Sequence, residues 1–201
     1  MSSLVQNYNR SKLSFKKGKG SFLFSTNGKK YLDFVQGIAV NSLGHANPKL
    51  INAINKQSKK IWHVSNAFTI PEGEVLAKKL TKISFADAVL FQNSGAEATE
   101  AAIKVARRYF FSKGKKNKNR ILCIKNSFHG RTIAAINASG SKKMMEGFGP
   151  KIPGFDHFKF GDHKKMEKLI TKNTAGIMVE PILGEGGIKV IPTSCLKELR
   201  K

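Results

Sequence analysis

Acidic residues are scarce in this 201-residue chain: 13 Asp and Glu stand against 36 Lys and Arg, for a formal net charge of +23. So basic a balance points toward anionic partners, with nucleic acid and acidic membrane surfaces among them. A second scarcity weakens the nucleic-acid version. Only six of the cations are arginine, the residue that reads bases and phosphates bidentately, while the thirty lysines are spread over every segment. The one dense run is Lys113, Lys115, Lys116, Lys118 and Arg120, around Gly114 between a predicted helix and a predicted strand. Such a run reads as a solvated surface, with attraction of an anion as the alternative. No recognised nucleic-acid module is present, so neither nucleic acid nor membrane is expected as a partner.

Cysteine is nearly missing. Cys123 and Cys195 form no CxxC pair and no Cys/His cluster with metal spacing, so no metal is expected. Cys123 lies in an apolar run and reads as core. This usage fits a reducing compartment and a cytoplasmic location. No run approaches the roughly 18 apolar residues of a membrane span. The opening MSSLVQNYNRSKLSF has no apolar stretch of signal-peptide length. Hydrophobic residues still make up 40% of the chain, too many for disorder, and 18 glycines suit an α/β protein with tight turns.

The pattern along the chain supports that class. Residues 1–20 are polar and basic, extended or loosely held. Two β-prone runs flank Asn27-Gly28, so residues 21–35 read as a hairpin. Asn47-Pro48 opens a helix, with Asn47 as cap and Pro48 in the first turn. Pro71, Glu72 and Glu74 open another, the acids suiting the positive helix start. From residue 88 strands and helices alternate. AVLFQ (88–92) reads as a short buried strand, and residues 95–112 as an alanine-rich helix. RILCIK (120–125) reads as a strand, TIAAINA (132–138) as a strand or short helix, 163–171 as a helix, and GIMVE (176–180) as a strand. Thr193 caps a last helix. This alternation implies a mostly parallel sheet with helical cover.

Three motifs carry candidate chemistry. In FQNSGAEATEAAIKVARRYF (91–110), a turn at Ser94, Gly95 and Ala96 leads into a long helix. Free N–H groups at such a start, with the Ser94 hydroxyl, can hold a phosphate, and Gly95 permits close backbone approach. An ordinary capped turn is the alternative. In NSFHGRT (126–132), Phe128 can stack on a planar cofactor and Arg131 can clamp a carboxylate with two parallel hydrogen bonds. His129 is more simply a packed histidine. In VEPILGEGGIKVIP (179–192), Glu180 ends a strand and reads as structural. Glu185 sits among Gly184, Gly186 and Gly187, where it can be aimed into a cleft or merely solvated. No GK[ST] follows, so this is not a P-loop.

NSGAEATEAAIKVARR, FHGRT and VEPILGEGG, in that order, resemble the class III aminotransferases that depend on pyridoxal 5'-phosphate (PLP). The resemblance runs from about Phe15 to the end. YLDFVQGIAVNSLGHANPKL resembles the family's opening, while IWHVSNAFTIPEGEVLAKKL and GFGPKIPGFDHFKFGD are similar to its acetylornithine branch.

It implies PLP-dependent transferase fold type I. Residues 1–46 would form an amino-terminal piece of the small domain, and 47–201 the first part of the large PLP-binding domain, with an incomplete sheet. It implies PLP as cofactor, with Ser94, Gly95 and Ala96 at its phosphate and Phe128 on its ring. Arg131 would bind the substrate α-carboxylate, and Glu185 would pair with a second arginine further along the family chain. The Schiff-base lysine and the aspartate facing the pyridine nitrogen come after residue 201 in the family, so this chain is expected to hold no catalytic residue and to be inactive alone. Lys142 and Lys143 fall in an ordinary stretch. The implied reaction moves the terminal amine of N-acetylornithine to 2-oxoglutarate, giving glutamate, in a cytoplasmic homodimer of arginine biosynthesis. Ornithine, 4-aminobutyrate or succinyl-diaminopimelate as donor, and a non-catalytic fragment, stay open.

Overall fold

A computed structural model describes residues 3–200. The chain divides into two compact units, Met1–Phe85 and Ala86–Lys201.

The first unit opens with an antiparallel sheet of β1 (Phe15–Lys19), β2 (Phe22–Ser25) and β3 (Lys30–Leu32), in sequence order. β2 and β3 form the hairpin expected around Asn27-Gly28, where Gly28 takes φ 86° and its N–H donates to the Ser25 carbonyl (3.0 Å). The basic stretch before it is not all loose, because Lys17 to Lys19 pair with Phe24 to Phe22. After β3 comes a left-handed turn, α1 (Gln36–Ala39), with Gly37 at φ 63° and Ile38 at φ 64°. Two amphipathic helices follow, α2 (Pro48–Ser58) and α3 (Pro71–Lys82). Asn47 caps α2 as its side chain accepts from the N–H groups of Lys49 (3.0 Å) and Leu50 (3.4 Å). Neither helix has a buried residue.

The second unit is α/β. Its long helix α4 (Gly95–Ser112) is followed by β4 (Arg120–Ile124), α5 (Ile133–Ser139), α6 (Lys142–Met145), β5 (Phe155–Phe158), α7 (His163–Leu169) and β6 (Thr174–Met178). A small antiparallel pair, β7 (Ile182–Leu183) and β8 (Lys189–Val190), precedes α8 (Thr193–Arg200). The three main strands are parallel, in the order β5-β4-β6. β4 is buried on both faces, as a central parallel strand must be. On one side Leu122 and Ile124 pack with Phe158, Leu183 and Ile191 beneath α7 and α8. On the other, Ile121 and Cys123 pack with Ile103 of α4 and Ala138 of α5. Burial pushes the Cys123 thiol up to about 12, so it is a core group and not a nucleophile.

One expectation fails. Residues 88–92 are not a strand, and Leu90 and Phe91 are exposed. Their apolar run is β-like, but a strand exists only when a neighbouring backbone accepts its hydrogen bonds, and none of the described strands pairs with them. The ambiguous stretch 132–138 resolves as helix α5, whose start Thr132 caps through its hydroxyl to the Ala135 N–H (3.2 Å). No helix among the described residues is long and apolar enough to cross a membrane. No group of three or more His, Cys, Asp or Glu among them is placed to hold a metal.

Candidate cofactor site

Three loops of the second unit meet at the carboxyl end of β4 and β6, where open parallel sheets bind ligands. The first is the turn into α4. Ser94 is its cap: the hydroxyl accepts from the Glu97 N–H (3.2 Å) and donates to the Glu97 carboxylate (3.1 Å). Asn93 also donates to that carboxylate (3.3 Å), and these hydrogen bonds hold Glu97 below its ordinary pKa. The capping box thus engages the Ser94 hydroxyl. The N–H groups of Gly95 and Ala96 donate to no described residue, and space beside Gly95 is open. Two unsatisfied donors at the start of an 18-residue helix can receive an anion, and a cofactor phosphate fits that chemistry.

The second loop, residues 125–132, leaves β4 and packs on that turn. Gly130 has φ 119°, and a Cβ there would lie 3.2 Å from the Ala96 Cβ, so the loop approaches α4 through glycine alone. Thr132 fixes the contact by donating to the Glu100 carboxylate at 2.6 Å. Phe128 and Arg131 are both on the exposed side of this loop, with the guanidinium 5.8 Å from the ring centroid. Arg131 makes no ion pair among the described residues, so its fork is available to a carboxylate. His129 points inward. Its Nε2 is buried without a partner, and burial holds its pKa below the usual histidine value. A buried neutral imidazole is a packing group first.

The third loop follows β6. Glu180 accepts from the Phe128 N–H (3.0 Å) and, with its other oxygen, from the Gly184 N–H (3.1 Å), so one carboxylate ties two loops together. Gly186 lies against Leu183 and the Asn126 carbonyl, where a Cβ would come within 3.2 Å of that oxygen. Glu185 is exposed on the turn between β7 and β8, with no hydrogen bond or ion pair to any described residue.

Of the six residues singled out, Ser94, Gly95, Ala96, Phe128 and Arg131 thus sit on two loops in direct contact, while Glu185 is joined to them only through Glu180. The positioning residues Glu100, Thr132 and Gly130 are legible only in part. Ala96, Glu100 and Ile103 fall on one helical face, but nothing in the spacing shows that Thr132 reaches that face.

The class III aminotransferase family model matches residues 4–201, and the chain belongs to that family, whose members depend on PLP. Among curated relatives, the chain is 52% identical to the acetylornithine aminotransferase of Agrobacterium fabrum over 98% of its own length and 49% of the relative's. It is 46% identical to that of Aquifex aeolicus, over 100% and 54%. Among solved structures, an ornithine aminotransferase from Toxoplasma gondii superposes with a TM-score of 0.91 at 32% identity, covering 98% of this chain and 48% of that one. An (S)-enantioselective omega-transaminase from Thermomicrobium roseum superposes at 0.87 and 27%, covering 99% and 53%. The fold is therefore that of the PLP-dependent transferases of fold type I, and the chain spans about half the length of the relatives it matches.

Proposed function

We propose that the chain is the amino-terminal portion of a PLP-dependent aminotransferase that moves the terminal amine of N-acetylornithine to 2-oxoglutarate. The observation that carries this reading is the contact between two loops. One presents the unpartnered N–H groups of Gly95 and Ala96, and the other presents Phe128 and Arg131. PLP, when bound, supplies the electron sink for amine transfer. The Gly95 and Ala96 N–H groups, with the Ser94 hydroxyl, would hold its phosphate. Phe128 offers a ring face to the pyridine. Arg131 takes the carboxylate of the amino donor or of 2-oxoglutarate with two parallel hydrogen bonds. Glu180 keeps the Phe128 loop and the Glu185 turn in register. Glu185 would pair with an arginine from outside residues 1–201, and the Schiff-base lysine and the acid facing the pyridine nitrogen would come from there too. The complete enzyme is read as a cytoplasmic homodimer serving arginine biosynthesis. The 46–52% identity to proteins named acetylornithine aminotransferase supports this donor over ornithine, the substrate named for the 32% identical Toxoplasma protein.

Binding of PLP and of pyridoxal, which lacks the phosphate, tests the anchor in the purified chain. Charge-assisted hydrogen bonds from the turn are expected to favour PLP by roughly 10- to 100-fold. Equal affinities would remove the phosphate role of the turn. Borohydride reduction followed by peptide mass spectrometry should label no single lysine of residues 1–201. One defined labelled lysine with turnover of N-acetylornithine would refute inactivity of this chain alone. In the complete enzyme, kcat/KM should be highest for N-acetylornithine. A preference for ornithine or 4-aminobutyrate would reassign the donor.

A further inference from the structure

We propose that the second unit carries a binding site for a small polyphosphate anion at the end of its sheet opposite the cofactor loops. Two loops build it. The loop from α4 into β4 and the loop from α7 into β6 meet at the amino ends of their strands, where the Arg120 N–H donates to the Asn173 carbonyl at 2.9 Å. Between them lies a pocket of about 480 Å³ walled by Lys115, Lys116, Lys118 and Lys172, with Asn117 and Asn173. β4 has five residues, which puts the pocket about 16 Å from the cofactor end of that strand. It is not part of the phosphate turn at Gly95.

Neither loop carries an acid. Residues 107–120 and 170–174 contain no Asp or Glu. The two nearby arginines are already engaged. Arg107 donates to the Asn119 carbonyl at 3.0 Å, and Arg120 forms a two-pronged pair with Asp156 at 2.6 Å on each arm. None of the four ammonium groups makes an ion pair with a described residue. Four like charges around one concavity repel, and a multivalent anion relieves that repulsion.

The site is also partly ordered in advance. Gly114, at φ 74°, turns the chain, and the Lys118 N–H closes a tight turn on the Lys115 carbonyl at 3.0 Å. The Lys118 ammonium rests 4.4 Å from the Phe110 ring centroid, which holds the stem in place. The N–H groups of Lys116 and Asn117, in the middle of the turn, donate to no described residue and are free for phosphate oxygens. The concavity is small, and its walls are lysine rather than the arginine of a base reader. Both features favour a compact polyphosphate over a nucleic-acid strand.

Titration calorimetry of the purified protein with inorganic tripolyphosphate tests the site. We expect one bound ion per chain to depend on these lysines, with affinity falling as salt rises. The combined variant Lys115→Gln, Lys116→Gln, Lys118→Gln, Lys172→Gln should bind roughly 10- to 100-fold more weakly. The same four positions changed to Arg should retain binding, which separates lost charge from lost folding. Three results would overturn the proposal: affinity untouched by the Gln variant; equal weakening when Lys12, Lys16, Lys17 and Lys29 are changed to Gln instead; or a single-stranded oligonucleotide bound more tightly than tripolyphosphate through the same lysines.

Discussion

The two units of this chain are held together by opposite means. The second is built around a strand buried on both faces, with Leu122 and Cys123 fully removed from solvent. The first has no buried hydrophobic residue among those described. Its buried side chains are Ser25 and Asp33. Asp33 is the staple there: one oxygen accepts from the N–H groups of Val35 (3.0 Å) and Gln36 (2.9 Å), and the other lies 2.6 Å from the His45 ring nitrogen. The accessible surface of the chain is 16026 Å², whereas even two separate compact domains of this total mass would expose roughly 11,000 Å². Large apolar side chains contribute to the excess, with Trp62 and Phe34 each 88% exposed. An amphipathic pattern therefore marks a face for contact without saying whether this chain supplies the contact.

Core substitutions should break the comparison most visibly. Leu122→Ala should cost the second unit about 2–5 kcal/mol in urea unfolding followed by circular dichroism. Ile54→Ala, on an exposed face of α2, should change stability by less than about 0.5 kcal/mol. Comparable losses would mean that the first unit has a core after all.

Glycine substitutions give the next effect. Gly130→Ala combines a left-handed backbone with a close approach to Ala96 and should cost about 1–3 kcal/mol and weaken PLP binding. Gly28→Ala in the hairpin turn meets nothing within 4 Å and should cost only the left-handed penalty, about 1–2 kcal/mol, with no effect on PLP. Thermal melts and PLP titration of both variants check this.

Acid should separate the units more gently. Burial lowers the pKa of His129 and of His157, whose Nε2 also lies 2.9 Å from the Asn137 carbonyl. Between the unfolded value of about 6.5 and the folded value the unfolded state binds more protons, so the second unit loses stability as pH falls below about 6.5. Proton NMR should show both imidazoles titrating lower than a free histidine. Asp33 is also lowered, first by the Gln36 N–H and then by the His45 side chain. Its contribution is present above about pH 4 and is lost as pH falls through the folded value. Amide-exchange protection at Val35 and Gln36, taken relative to the unfolded-chain rate at each pH, should fall only in that acid range. A fall in protection already near pH 6 would point away from Asp33.

Local signals were legible in the sequence wherever a few neighbouring residues decide the outcome. Asn47-Pro48 opens α2, Asn27-Gly28 turns the hairpin, and the alanine-rich run is α4, because caps, turns and helical periodicity act over a handful of positions. The loop carrying Phe128 runs from a strand to a helix as the alternation implied, whereas no strand precedes Ser94 and Glu185 lies on the turn between β7 and β8. Long-range pairing was not legible. AVLFQ has the composition of a strand but no partner, and Phe15–Lys19 lacks that composition yet pairs with β2. Only the tertiary structure brought Thr132 to Glu100, put Glu180 between two loops and closed Gly130 on Ala96. Thr132–Glu100, Gly130–Ala96 and Glu180–Phe128 join residues at least 32 positions apart in sequence, and such contacts depend on how whole elements pack rather than on the residues between them.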